Sequence, residues 1–144
     1  MSAVVQAHYA PAITIRAARP DDQKFVTRTM AAQLSPDKTP REYAAANHIV
    51  NRVMGSARVR VLVAIARDGR IIGWLAYTPI PRVKAVLFVY VRKDDRGGGI
   101  GRELARAAWP TGRGQWVHGG LRGSSSRALL QRFRALEMPL EDLI

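Results

Sequence analysis

The chain has 144 residues, of which 47% are hydrophobic and 24% charged, a composition that suits one globular domain with its own core. Its 23 Lys and Arg residues against 11 Asp and Glu residues give a formal net charge of +12, which favours polyanionic ligands or partners. It has no cysteine, which excludes disulfides and thiolate zinc sites, and no membrane span or signal peptide is recognisable, so we expect a soluble, cytoplasmic protein without a bound metal.

The first predicted elements are one strand and two helices. Residues 1–11 are expected to form a flexible N-terminus, followed by a single domain over 12–144. Residues 12–18 alternate apolar and polar side chains, as a half-buried strand does. Pro20-Asp21-Asp22 then combines a turn former with an Asp cap, ahead of about 13 residues with apolar side chains at helical spacing. A capping box at 39–42 begins a second helix, which Gly55 ends.

Three strands are predicted next, as an antiparallel meander. Residues 58–67 are rich in β-branched side chains, and Asp68-Gly69 is a two-residue hairpin signal before the apolar segment 71–77. Prolines at 79 and 81 bracket another turn. Residues 83–91 are apolar enough for a central strand.

A glycine-rich segment follows this central strand and leads into a helix-forming stretch. Glycines can turn successive backbone N–H groups inward, and a helix N-terminus adds unpaired N–H groups, so this order favours phosphate binding. Arg96 and Arg102 could add charge-assisted bonds. Gly101-Arg102-Glu103 lacks the Lys-Ser/Thr of the P-loop that binds nucleoside triphosphates. The antiparallel meander before the glycines disfavours a dinucleotide-binding fold.

The segment Arg96-Gly97-Gly98-Gly99-Ile100-Gly101 resembles the acetyl-coenzyme A signature Arg/Gln-x-x-Gly-x-Gly/Ala of the GCN5-related N-acetyltransferase (GNAT) family. The resemblance covers about residues 12 to 136 and implies an α+β fold, with a mixed, mostly antiparallel sheet flanked by helices. It further implies that Val89, Tyr90 and Val91 offer backbone groups to the pantetheine arm of acetyl-CoA. The residues implied to hold the pyrophosphate are Arg96, Gly97, Gly98, Gly99, Ile100, Gly101 and Arg102.

The C-terminal part departs from the family pattern. Residues 115–118 are a predicted fifth strand, and Ser124 or Ser125 caps a last helix that carries Leu129, Leu130, Phe133 and Leu136. Family members usually have Asn-x-x-Ala followed by a Tyr that protonates the leaving thiolate, whereas here Ser125 stands for the Asn and Arg132 for the Tyr. Only eight residues follow Leu136, so the acceptor side is expected to be shortened, remodelled or completed by another subunit.

The chemistry that the resemblance implies is attack of a neutral amine on the acetyl thioester. A backbone N–H, here that of Val91, would polarise the carbonyl. His118, at the end of the predicted fifth strand, is the best-placed group to accept the ammonium proton, because carboxylates are scarce.

Three functional hypotheses remain open from the sequence. The first is an acetyl-CoA-dependent N-acetyltransferase whose amine acceptor, a small molecule or a protein, is unknown. The second is a catalytically silent member of the same fold, acting as a structural or interaction protein in a homodimer or a larger assembly. The third, a basic nucleic-acid-binding module, rests on charge alone. Thiol release from acetyl-CoA distinguishes the first hypothesis, and steeply salt-dependent binding to DNA or RNA distinguishes the third.

Overall fold

The computed structural model describes residues 12–35, 37–121 and 123–144, so the predicted flexible N-terminus lies outside the described residues. The strands are β1 Thr14–Ala17, β2 Arg60–Ile65, β3 Ile71–Ile80, β4 Val83–Val91, β5 Gln115–His118 and β6 Leu136–Glu137. The helices are α1 Gln23–Leu34, α2 Pro40–Met54, α3 Ile100–Ala108, α4 Ser124–Arg132 and α5 Leu140–Leu143. Short 3₁₀ turns span Pro20–Asp22 and Lys93–Asp95.

The six strands form one sheet in chain order, and this arrangement confirms the predicted mixed, mostly antiparallel α+β fold. Strands β1 to β4 are antiparallel neighbours, whereas β5 is parallel to β4 and β6 is parallel to β5. The β4–β5 pairing extends only from Val83↔Gln115 to Val86↔His118. Residues 87–91 of β4 therefore have no strand beside them on that side, and we call this stretch the open edge of β4.

Helices cover both faces of the sheet. On one face, α1 and α2 bury residues such as Met30 and Val53 against Trp74 and Phe88. On the other face, α3 and α4 contribute Leu104, Leu130 and their neighbours to a second apolar cluster. The open edge of β4 lies between these two layers, so a group placed there is reachable from either face. None of the helices in the described ranges is long and apolar enough to cross a membrane.

Two predicted turns differ from the observed ones. The Ala66 N–H donates to the Arg70 carbonyl at 2.9 Å, so the β2–β3 hairpin has a three-residue loop in place of the predicted two-residue loop. Gly69 takes the left-handed position in it, with φ +86°, as three-residue loops require. Pro79, expected in a turn, lies within β3. The first residue of β2, Arg60, is opposite Tyr77, so Pro79 has a neighbouring strand on one side only and tolerates the missing N–H.

The last helix was predicted, but Gly123 is its N-cap in place of Ser124 or Ser125, and the two elements after it were not predicted. The last helix was expected to run to Leu136, but it ends at Arg132, and Leu136 begins β6. Arg134 has φ +50°, which breaks the helical path and turns the chain back to β5. The chain then enters α5, where Leu143 is fully buried and its carbonyl accepts a 2.5 Å bond from Thr78 Oγ1.

Hydrogen bonds to Asp22 link β1 to the turn that precedes α1. The Asp22 carboxylate accepts bonds from Arg16 at 2.6 and 3.2 Å and from the backbone N–H of Arg19 at 2.7 Å. The bond from Arg16, supported by the Arg19 N–H, holds the pKa of Asp22 below its ordinary value although burial opposes this. The sequence assigned this aspartate to capping the following helix, but it caps the preceding turn.

We expect Asp22→Asn to lower the free energy of unfolding by about 1 kcal/mol at pH 7, because it removes a charge-assisted bond. A carboxylate whose pKa is lowered by folding stabilises the folded chain fully at pH values above its unfolded-state pKa of about 3.9. This stabilisation is lost as the pH falls through the lower, folded-state pKa. Urea titrations should therefore show a smaller difference between variant and wild type at about pH 3. Asp21→Asn, at the exposed neighbouring aspartate, is the control. An Asp22→Asn difference that is the same at both pH values would contradict the assignment.

Candidate functional site

A cleft of about 540 Å³ opens between the open edge of β4, the glycine-rich loop and α4. It lies on the face of the sheet covered by α3 and α4. The loop and the first turn of α3 form one wall, and α4 forms the other. The residues that line it are Val89, Val91, Asp95, Arg96, Gly97, Gly98, Gly99, Ile100, Gly101, Arg102, Ser124, Ser125, Ala128, Leu129, Arg132 and Phe133.

The glycine-rich loop presents unpaired backbone N–H groups to this cleft. Gly97 and Gly99 have φ of +85° and +84°, a backbone conformation that other residues rarely adopt. Within the described ranges, no N–H from Gly97 to Arg102 donates to a protein acceptor; the first backbone bond of α3 is from Glu103 to the Gly99 carbonyl, at 3.0 Å. Six successive N–H groups at a helix N-terminus form a concave site suited to phosphate oxygens.

Gly101 differs from the two left-handed glycines. It lies in the first turn of α3 without a positive φ, and a Cβ added there would approach only Val91 Cγ2, at 4.0 Å. The fold itself therefore has room for a side chain at this position. Because Gly101 lines the cleft, a larger side chain would occupy space in it.

The open edge of β4 is bonded by side chains in place of a strand. Ser126 Oγ accepts from the Val89 N–H at 2.9 Å and donates to the Val89 carbonyl at 3.0 Å. Ser125 Oγ accepts from the Val91 N–H at 3.1 Å, and Arg96 Nε donates to the Val91 carbonyl at 2.9 Å. The backbone groups that the family resemblance assigned to a pantetheine arm thus have protein partners. The sequence indicated a helix cap for these serines, and nothing in its pattern indicated their bonds to β4.

Tyr90 lies outside the cleft. It pairs with Trp74 in the β3–β4 ladder, and its ring lies 6.2 Å from the ring of Trp74 and 6.2 Å from that of Phe25. Its side chain therefore belongs to the core beneath α1. Of the ten residues predicted to bind the cofactor, Tyr90 alone does not line the cleft.

His118 is also apart from the cleft. It ends β5, is only 3% exposed, and its Nδ1 accepts a bond from the Gly120 N–H at 3.0 Å. It borders a small separate cavity on the other side of α4, together with Arg127 and Gln131. His118 is not among the residues that line the cleft.

The cleft is strongly positive. Arg96, Arg102 and Arg132 line it, and its one carboxylate, that of Asp95, is bonded to Arg92 Nε at 2.7 Å. All eleven Asp and Glu residues are among the described residues, so no other carboxyl side chain lines the cleft. No histidine or tyrosine lines it either, within the described residues. The described part of the chain also holds no cluster of three or more His, Asp or Glu residues that could bind a metal ion.

We expect Ser126→Ala to lower the free energy of unfolding by about 1–3 kcal/mol, because it leaves the buried N–H and carbonyl of Val89 unpaired. Thermal and urea unfolding would measure this loss. Ser124→Ala, at an exposed residue two positions earlier, removes an equal hydroxyl and should have almost no effect. Equal stability of both variants would show that Ser126 does not hold α4 to β4.

Comparisons with known proteins agree with this geometry. The family model described as Acetyltransferase (GNAT) family matches residues 25–132. A GNAT family acetyltransferase from Brucella melitensis, solved in complex with acetyl-CoA, is 24% identical with a TM-score of 0.54, covering 81% of this chain and 81% of that chain.

Two further solved structures share the fold. A putative acetyl transferase from Pyrococcus furiosus is 16% identical with a TM-score of 0.62, covering 84% of this chain and 91% of the other. AAC(6')-Iy, in complex with the bisubstrate analogue CoA-S-monomethyl-acetylneamine, is 17% identical with a TM-score of 0.54, covering 86% and 90%. No curated protein matches the sequence. Because the family model spans most of the chain, the protein belongs to the GNAT family of acetyltransferases.

Proposed function

We propose that this protein is an N-acetyltransferase that transfers the acetyl group of acetyl-CoA to a primary amine. The observation that carries the proposal is the row of six unpaired N–H groups from Gly97 to Arg102, which borders a positive cleft beside an open strand edge. Such a row suits a pyrophosphate, and the open edge suits an extended amide-containing arm. The Brucella relative solved with acetyl-CoA supports the same donor.

The pyrophosphate of the donor would lie against the glycine-rich loop. Its oxygens would accept from the N–H groups of residues 97–102, and Arg96 and Arg102 would add charge-assisted bonds. A smaller cavity of about 320 Å³ shares Arg102 and Arg132 with the cleft. Lys84, Arg106 and Trp109 also line this smaller cavity. Cations beside an aromatic ring suit the phosphorylated adenosine end of coenzyme A.

The acetyl end would reach the open edge of β4. The thioester is at the far end of an extended arm from the pyrophosphate, whereas Val91 is next to Gly101 in the pyrophosphate wall, so the Val91 N–H suits an amide of the arm and not the thioester carbonyl. Its present acceptor, the Ser125 hydroxyl, is part-buried in the cleft wall, and rotation of this side chain would free the N–H.

The reaction forms one bond and breaks one. The lone pair of a neutral amine attacks the thioester carbon, the C–N bond forms, the C–S bond breaks, and the thiolate of coenzyme A leaves with the bonding electrons. The ammonium proton passes to water, since no carboxylate or imidazole among the described residues lines the cleft without a partner. Arg132 stands where relatives are expected to have a tyrosine, but it also borders the cavity assigned to the adenosine end, and its guanidinium cannot donate a proton to the thiolate as a tyrosine does.

A silent coenzyme A-binding protein is the second candidate, favoured because no histidine, tyrosine or unpaired carboxylate of the described residues lines the cleft. Both candidates require the cofactor cleft, but only the first releases thiol. His118 is not included in either mechanism, because its imidazole borders a different cavity.

The test is a thiol-release assay with acetyl-CoA and a panel of primary amines, using Gly101→Val as the inactive control. An acetyltransferase should release thiol in proportion to amine and form the acetylated amine. Its rate should rise with pH as the amine loses its proton, with no inflection near the ordinary histidine pKa of about 6.5. Binding of acetyl-CoA without thiol release from any amine would establish the silent alternative.

A further inference from the structure

A second cavity, of about 530 Å³, lies on the face of the sheet opposite the cleft. Its walls come from the C-terminal end of α1, from α2, from the loop after β5 and from the first residues of α4. Leu34, Ile49 and Leu121 make its apolar part, and Gln33 and Arg127 contribute polar groups. None of the sequence motifs pointed to it.

The second cavity and the cleft meet at the N-terminus of α4. Ser124 lines both, and its backbone N–H donates to Gln33 Oε1 of α1 at 3.3 Å. At Gly123, a Cβ would come within 2.8 Å of both Gln33 Oε1 and Phe88 Cζ, so α1, β4 and α4 converge at this point. A molecule in the second cavity would therefore approach the end of the cleft from the opposite face, without competing with a donor held by α3 and α4.

The charges around the second cavity are unbalanced. None of the eleven carboxyl side chains lines it. The Glu137 carboxyl carbon is 3.8 Å from the position of a Cβ on Gly120, a lining residue, but Glu137 itself does not line the cavity. Arg127 is exposed and makes no ion pair with any described residue. A site with a guanidinium and no lining carboxylate repels a purely cationic amine and attracts an anionic group.

We propose that the second cavity binds the amine acceptor and that Arg127 selects a small primary amine that also carries a carboxylate or phosphate group. This inference rests on the proposed acetyltransferase function. The guanidinium fork of Arg127 would hold the anionic group, the apolar wall would hold the body of the molecule, and the amine would point past Ser124 toward the acetyl group.

Matched pairs of amines test the selection. O-phosphoethanolamine and ethanolamine, and β-alanine and ethylamine, differ mainly in the anionic group. With saturating acetyl-CoA, kcat/KM per unprotonated amine should be about 10- to 100-fold higher for the anionic member, the range of one charge-assisted bond. The phosphate and carboxylate pairs also show which anion is preferred. Equal values, or a preference for the neutral partner, would overturn the proposal.

Substitution of Arg127 provides a second test of the selection. Arg127→Gln should reduce the preference ratio to about one to three, and Arg127→Lys should keep part of it. Arg41→Gln, at an exposed position on α2 away from both cavities, removes the same charge and should leave the ratio unchanged. A ratio that falls equally in Arg127→Gln and Arg41→Gln would reflect net charge and contradict a specific contact.

Direct binding separates this inference from the proposed function. Titrating O-phosphoethanolamine and ethanolamine into the protein, with and without coenzyme A, measures selection even if no thiol is released. Tighter binding of the anionic member that Arg127→Gln removes would support the cavity assignment, whatever the outcome of the activity assay. Equal binding of both amines would overturn it, even in an active acetyltransferase.

Discussion

Replacing Gly101 with valine is expected to abolish coenzyme A binding, with a loss of affinity of at least about 100-fold. The position lines the cleft within the first turn of α3, between N–H groups that would contact the pyrophosphate. The two methyl groups on the valine Cβ would hold the phosphates away from these N–H groups. Losing two charge-assisted bonds would lower the affinity by about 100-fold or more. Calorimetric titration with coenzyme A would measure the loss.

The protein should remain folded in this variant. A Cβ at Gly101 meets only Val91 Cγ2, at 4.0 Å, and the backbone there has no positive φ. Ala107→Val, at an exposed position of the same helix outside the cleft, introduces the same β-branched side chain and should bind coenzyme A normally. If a folded Gly101→Val protein kept wild-type affinity, the glycine-rich loop would not be the phosphate site.

Replacing Arg96 with alanine should weaken coenzyme A binding by roughly 10- to 150-fold, the range of one charge-assisted bond. Arg96 lines the cleft, and its Nε bond to the Val91 carbonyl fixes the side chain against the open edge of β4. The variant would lose both a cation near the phosphates and this support. The effect should shrink in high salt, because the attraction is screened.

Lys93→Ala provides the control for net charge. Lys93 is an exposed cation in the turn just before the loop, and it does not line the cleft. Its removal should change the affinity by less than about threefold, since the charge is solvated and distant from the phosphates. Losses of similar size in the two variants would mean that Arg96 acts only through overall charge.

The sequence predicted well those elements whose pattern is local. Strands β4 and β5 have the predicted bounds, because a continuous apolar run and a short apolar segment between loops are enough to define them. The start of α2 was also predicted, and Thr39 Oγ1 accepts from the Glu42 N–H at 3.2 Å. Nine of the ten predicted cofactor residues line the cleft because they are contiguous with the loop or with the end of β4.

Features that depend on distant contacts were missed. The two-residue strand β6 has too few residues for any periodic signal, and it exists because the chain returns to β5. The side chain of Tyr90 packs against Trp74 and Phe25, and His118 lies against α4, so both placements depend on elements distant in sequence. The bonds from Ser125 and Ser126 to β4 join residues 34 to 37 positions apart, a separation that no sequence window covers.

A calorimetric titration of the wild-type protein with acetyl-CoA tests the central claim most directly, because each catalytic statement presupposes the cofactor cleft. We predict saturable binding of one acetyl-CoA per chain, weakened by salt and lost in Gly101→Val. Absence of saturable heat up to about 1 mM acetyl-CoA, a limit that corresponds to only about −4 kcal/mol of binding free energy, would contradict the assignment of the cleft.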